Sequence, residues 1–263
     1  MSTFQSHIQL MTIIGLWRAF LPVARSISDH AVWVTLSIRL ALKRIFGTRS
    51  DVFPGLAPSH LHVVVINLKR REDRRAQVLE NLAKVGFENV TVLEAVDGPQ
   101  KYPDHVRGNA ANLGCTESHI MAIERHLSKG TPIAVCEDDN QFTGKSDEVM
   151  DYVSSFLESP EADVLCLVAR NRGPRVAVNS EFAVAGWALA PSFYVVKPNA
   201  RRDLVRALSK SVRKLTQQKR RGPFDQVWRW TQRFRLVFFV PQRKVGRQRD
   251  SFSDIQGQFF QGT

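Results

Sequence analysis

Ile133-Ala134-Val135-Cys136-Glu137-Asp138-Asp139 is a short apolar run that ends abruptly in three acidic side chains. The apolar part suits a buried strand, and a strand that delivers carboxylates at its C-terminal end places them at the sheet edge where α/β proteins bind ligands. Hard oxygen ligands suit Mg²⁺ or Mn²⁺, and such an ion would in turn hold a diphosphate. Taken alone, the same seven residues also read as a solvated acidic turn.

The segments upstream favour the first reading. His62 to Leu68 is a β-branched run suited to a buried strand, and Lys69 to Arg75 opens a helical pattern with Val78, Leu79, Leu82 and Val85 at helix spacing until Gly86 stops it. Asn89 to Glu94 reads as a second strand leading into Ala95-Val96-Asp97-Gly98. Strand, helix and strand in succession make a βαβ unit, and its handedness rules predict a parallel sheet and an α/β fold class.

Four blocks in this order resemble glycosyltransferase family 25, which includes bacterial lipopolysaccharide galactosyltransferases and collagen galactosyltransferases. They are Ile66-Asn67-Leu68 with Arg71, Asp73 and Arg74; Ala95 to Gly98; Gly114-Cys115 with Ser118-His119; and Glu137-Asp138-Asp139. A weaker tail runs through Phe193 to Val196, Phe224-Asp225, Val240-Pro241 and Ser253-Asp254-Ile255, so the resemblance covers residues 60 to 257. It implies a GT-A-like nucleotide-sugar-binding fold with a mainly parallel central sheet. It also implies transfer of a hexose, often galactose, from a UDP-sugar donor to a hydroxyl of a glycan or glycolipid acceptor such as lipopolysaccharide or lipooligosaccharide.

A sugar diphosphate leaves as an anion, so the site needs a metal or cationic side chains aimed at the developing charge. Asp138 and Asp139 are the expected ligands for Mn²⁺ or Mg²⁺, with Glu137 a partner of that shell or part of the donor-sugar pocket. Asp97, at a strand end, is a candidate acceptor for ribose or uracil. Arg71 and Arg74 share one helical face, and their guanidinium forks suit phosphate oxygens; an ordinary solvated helix start balanced by Glu72 and Asp73 is the alternative. Asn67 is a donor-site candidate that equally serves to tie down a turn. Ser118 and His119 are expected at the start of a helix through Ile120, Met121, Ile123 and Leu127, His119 as a donor-phosphate contact and Ser118 as a contact or as the helix cap.

An inverting transfer needs a general base near the acceptor hydroxyl. Asp225 is the candidate, because between Lys197 and Arg249 the only other acidic residue is Asp203, which sits among Arg201, Arg202 and Arg206. Asp225 also suits the cap of a helix over Val227 to Trp230. The chain departs from the usual GT-A pattern in having no His after His126, which leaves water, Asp254 or Gln256 to complete a metal shell. Lys69 and Asn140 depart from it too, and a catalytically degenerate sugar-nucleotide or glycan binder is the second reading.

The chain of 263 residues, 43% hydrophobic, is long enough for a sizeable core, and its three cysteines, Cys115, Cys136 and Cys166, make no disulfide framework. The net charge of +12 is concentrated: Lys197 to Arg249 carries 17 Lys or Arg against two Asp, which should attract polyanions. No nucleic-acid-binding pattern accompanies it, so nucleic acid is not expected as a partner, whereas an anionic membrane surface is.

Residues 1–50 read as a basic, amphipathic helical extension, 51–59 as a linker rich in Pro and Gly, and 60–263 as the catalytic domain. The apolar runs Ile8 to Trp17 and Ala31 to Ile38 are broken by Arg18 and Arg39, short of a membrane span. Trp33, Leu36 and Leu40 beside Val34, Ile38 and Ile45 suit a helix lying in a membrane interface or one packed on the catalytic domain. The expected location is the cytoplasm with peripheral membrane association, or the secretory pathway if the source is eukaryotic.

Overall fold

The computed structural model describes residues 28–45, 52–171, 173–217, 225–253 and 258–260, with backbone alone for 225–227, 251–253 and 258–260. Helix α1 spans residues 28–45. After a single 3-10 turn come β1 (His62–Asn67), α2 (Glu72–Val85), β2 (Val90–Glu94), α3 (Gly98–Lys101), α4 (Arg107–Glu124), β3 (Ile133–Glu137), β4 (Asn140–Phe142) and α5 (Ser146–Glu158). The second half holds β5 (Val164–Asn171), β6 (Arg175–Ala177), β7 (Phe182–Ala185), β8 (Ala188–Val196), α6 (Pro198–Thr216), α7 (Asp225–Phe234), β9 (Phe238–Pro241), β10 (Gly246–Gln248), β11 (Ser251–Ser253) and β12 (Gln258–Phe260).

The β-branched run and the acid-terminated run are neighbours in the sheet. β1 pairs in parallel with β2 on one side and β3 on the other, and the register sets Ile66 beside Glu137. Eight strands follow the order β2-β1-β3-β8-β5-β9-β7-β6. Six point one way, while β8 and β7 run against them. The sheet is therefore mainly parallel by strand direction, with β8 inserted antiparallel between β3 and β5.

Two apolar layers cover the sheet, and alternate residues of each strand feed them. Val63, Val65, Ala134 and Cys136 pack with Val78 and Leu82 of α2, with Val153 and Phe156 of α5, and with Val32, Leu36 and Leu40 of α1. Val64, Ile66, Ile133 and Val135 pack with Ile123 of α4, Leu204 and Leu208 of α6, and Trp228 of α7.

The N-terminal helix, expected either in a membrane interface or against the domain, takes the second place. Its Leu36 and Leu40 side is core, Lys43 pairs with Asp163 at 2.8 Å, and Arg39 donates to the Gln232 carbonyl at 2.9 Å. The linker-like stretch also lies on the domain, where the Phe53 N–H donates to Leu157 O at 2.9 Å and Phe53 and Leu56 pack on the core.

One helix starts earlier than the sequence suggests. Ser118 and His119 lie well inside α4, eleven and twelve residues past its start at Arg107, not at its beginning. Gly114 permits close packing at this point of the helix. A Cβ on Gly114 would stand 2.4 Å from Val96 O and 2.6 Å from Gly98 N, and one on Gly98 would stand 1.8 Å from Ala110 O. Gly114→Ala is expected to lower stability by about 3 kcal/mol through overpacking, read as a lower urea midpoint.

At the bottom of the sheet the ring of His126 donates from Nδ1 to the Ala122 carbonyl at 3.0 Å, so its Nε2 accepts from Nδ1 of His62 at 3.1 Å. Thr91 completes the chain at 2.9 Å from His62 Nε2. Burial holds both histidines below their ordinary range; His126 and Lys129 act in the same direction on His62, while Lys129, Arg201 and Arg125 do so on His126. A depressed histidine contributes stability above the unfolded pKa and loses it as pH falls through the folded one. The melting temperature is therefore expected to fall between about pH 7 and 5, and His126→Gln should flatten that decline.

Candidate active site

Glu137, Asp138 and Asp139 emerge together at the C-terminal end of β3, and each meets a different environment. Asp138, almost buried, receives Asn67 Nδ2 from the end of β1 at 2.8 Å and Arg74 Nη1 from the first turn of α2 at 2.9 Å. Asn67 also donates to Arg71 O at 3.0 Å, so it holds the β1–α2 turn and the acidic cluster at once. Both side chains of the Arg74–Asp138 pair are 11% exposed. Removing one partner from a pair this enclosed costs on the order of 3–5 kcal/mol, because it strands the other charge.

Glu137 accepts from His119 Nε2 at 3.0 Å, and His119 Nδ1 lies 2.9 Å from the Tyr194 hydroxyl. His119 and Tyr194 are fully buried and their rings stack. Burial, with Glu137 nearby, pushes the Tyr194 phenol well above its ordinary range, so it stays protonated. Cys115 Sγ, His119 and the Glu137 carboxylate lie within 4.8 Å of one another.

Asp139 is the exception. Its Oδ1 is buried without a hydrogen-bond partner, and burial together with Glu137 and Asp138 pushes its carboxyl well above the usual range. Its carbonyl accepts the Arg249 N–H at 2.7 Å, which ties the acidic turn to the strand pair β4–β10. That pair is anchored by Asn81 of α2, whose Oδ1 accepts the Phe142 N–H at 2.7 Å, and by Ser192, which donates to Asn140 at 2.9 Å.

The remaining candidates have other partners or lie outside the described residues. Arg71 makes a two-pronged contact with Asp73, 3.0 Å in each arm, and holds that carboxyl down to about 2. Asp97 opens α3 and pairs with Arg70. The Ser118 hydroxyl accepts the Val96 N–H at 2.9 Å and donates to Gly114 O at 2.7 Å, which fastens α4 to the loop carrying Asp97. Asp225 is the first residue of α7, with its side chain outside the described residues, and Asp254 and Gln256 lie outside them entirely.

Asn67 and Arg74 thus hydrogen-bond Asp138, His119 hydrogen-bonds Glu137, and Asp139 follows them along the same turn, while Arg71, Asp97 and Ser118 have local partners of their own. The sequence reading missed Tyr194 and Arg70. Tyr194 lies in the run Phe193 to Val196, which reads as plain strand, and its signal was the phenol itself, since a buried tyrosine hydroxyl needs a partner.

An acid-terminated parallel strand, flanked by the first turn of the helix that follows β1, defines an α/β protein with a GT-A-like fold. Residues 60–173 match the family model described as glycosyltransferase family 25 (LPS biosynthesis protein). Over that stretch, somewhat less than half of its length, the chain is similar to glycosyltransferase family 25. A protein of Acanthamoeba polyphaga mimivirus, named as a glycosyltransferase, is 31% identical over 122 residues, covering 40% of this chain and 37% of the relative. The matched stretch therefore spans little more than a third of that relative. Among the described residues no helix is long and apolar enough to cross a membrane.

A carboxyl raised by like charges and burial opposes folding once pH exceeds its unfolded pKa of about 4. Asp139→Asn is thus expected to raise the melting temperature of metal-free protein at pH 7, by about 2–4 °C per kcal/mol relieved, and to have little effect near pH 4.

Proposed function

We propose that the chain transfers a hexose, galactose in the first instance, from a UDP-sugar to a hydroxyl of a cell-surface glycan such as lipopolysaccharide or lipooligosaccharide. The observation that carries this is the set Asn67–Arg74–Asp138 beside the unpartnered Asp139 Oδ1, at the C-terminal sheet edge in the stretch similar to family 25. Two carboxylates ending a strand, one clamped and one with an oxygen unsatisfied, fit a hard divalent cation. Asp139, with Asp138 beside it, would hold Mn²⁺ or Mg²⁺, whose chemistry is to neutralise the diphosphate of the donor.

The chain's own residues supply the rest. Arg74 and Asn67 fix the rotamer of Asp138, so one carboxylate of the pair is positioned before any ligand arrives. Arg71 and Arg70, at the same helix start and each already engaged by a carboxylate, are cations that exchange Asp73 and Asp97 for donor oxygens when a nucleotide sugar binds. His119, oriented by Tyr194, holds Glu137 toward the donor-sugar pocket. Asp225 at the start of α7 takes the proton of the acceptor hydroxyl as general base. The acceptor is assembled at an anionic membrane surface, a reading supported by the net charge of +12.

Incubating the protein with a panel of UDP-sugars, with Mn²⁺ or a chelator, and following UDP release tests the reading. Metal-dependent release from one sugar is expected, with a loss of at least about a hundredfold in Asp139→Ala and of transfer in Asp225→Asn. Transfer that survives in Asp139→Ala would remove the cation site, and UDP binding with no turnover on any donor and glycan acceptor would assign the chain to the non-catalytic binders.

A further inference from the structure

Helix α6 carries an unusual outer surface. Between Ala200 and Leu215 its exposed residues are Arg202, Arg206, Lys210, Arg213 and Lys214, all basic, with Arg202, Arg206, Lys210 and Lys214 four apart, while Leu204, Leu208 and Leu215 are buried. Like charges at this spacing destabilise a helix that has only water to face. An ordinary solvated face mixes both signs, and the one acidic residue here, Asp203, is shared by Arg206 at 3.4 Å and, at 3.3 Å, by Arg235, the residue that follows α7.

That shared carboxylate sets α7 beside the basic stripe, and α7 adds the second half of the surface. Trp230 and Phe234, one turn apart, are 72% and 51% exposed, with ring centroids 4.8 Å from each other. Two large aromatic side chains in water, flanked by arginines, have no role in the core, which α7 reaches through Trp228 on its opposite side. At its other side α7 meets α1, where Arg39 donates to the Gln232 carbonyl.

We propose that the α6–α7 face docks on an anionic lipid bilayer, with Trp230 and Phe234 inserted at the headgroup level and the α6 cations on lipid phosphates. Charge complementarity selects this partner: basic side chains around exposed aromatics match a surface with anionic headgroups above an apolar layer. α6 packs along α4 through the layer that holds Leu204, Leu208 and Ile123, and α4 carries His119 into the site. Docking here therefore holds the site one helix away from a lipid-linked acceptor. The proposal deepens the membrane-surface reading given above, and binding is measured apart from transfer.

The test is co-sedimentation of the full chain with vesicles of phosphatidylcholine alone and of phosphatidylcholine mixed with phosphatidylglycerol, at low and high salt. Wild type is expected to bind the anionic vesicles, less at high salt, and to ignore the neutral ones. Trp230→Ser with Phe234→Ser, and separately Arg206→Glu with Lys210→Glu, should each weaken binding about tenfold or more, with unchanged melting temperature and unchanged UDP binding. Equal binding by wild type and both double variants would overturn this face while leaving membrane association standing; no vesicle binding by wild type would overturn both. Binding to duplex DNA as tight as to vesicles, with the aromatic variant unaffected on either, would make the face a general polyanion site and also overturn the proposal. Loss of UDP release in the donor assay, with vesicle binding intact, would count against the transferase reading alone.

Discussion

Three successive carboxylates at the end of a buried strand set a charge problem that the rest of the site is arranged around. In a low-dielectric setting adjacent acids cannot all remain charged without compensation. The structure divides them: Arg74 and Asn67 take Asp138, His119 takes Glu137, and Asp139 keeps a buried oxygen without a partner. Each solution constrains an element. α2 must begin at the C-terminal end of β1 for Arg74 to reach across, and α4 must lie close enough for His119 to reach under β3.

The second requirement explains the small residues of α4. Gly114 and Gly98 bring helix and loop to a separation that a single added Cβ would forbid, and the Ser118 hydroxyl accepts the Val96 N–H across the contact. The antiparallel insertion of β8 serves the same end. It places Tyr194 against His119 and Ser192 against Asn140, so one strand steadies both the histidine and the turn after the acidic cluster. Had a parallel strand followed β3, a crossover helix would have covered that position.

The basic C-terminal half is not one feature. Lys197 and Arg201 are fully buried; Lys197 reaches the Ser159 carbonyl over the Phe156 ring, and Arg201 binds the carbonyls of His126, Lys129 and Thr131 beyond the end of α4. Burial pulls Arg201 down to about 10, so it is still a cation at neutral pH, held by carbonyl dipoles. Arg229 and Arg233 lie over Trp187. Among the described residues the exposed cations of this half include the α6 stripe and, around β10, Arg243, Lys244 and Arg247.

Residue order alone determined the βαβ start, the pairing of His62–Asn67 with the following strand, and the acidic terminus of β3, because strand and helix periodicities are local and the apolar runs are long. Glu137, Asp138, Asp139, Asn67 and Arg74 were legible as neighbours because strands that run parallel in one sheet bring their C-terminal ends to the same edge. Which acid would be clamped and which left unsatisfied was decided only by tertiary structure, since that depends on Arg74 and His119 arriving from different helices. Tertiary structure also chose the buried side of α1. Its sequence offers apolar residues on both faces, and only the sheet surface it packs against could select Leu36 and Leu40 over Ile38 and Ile45.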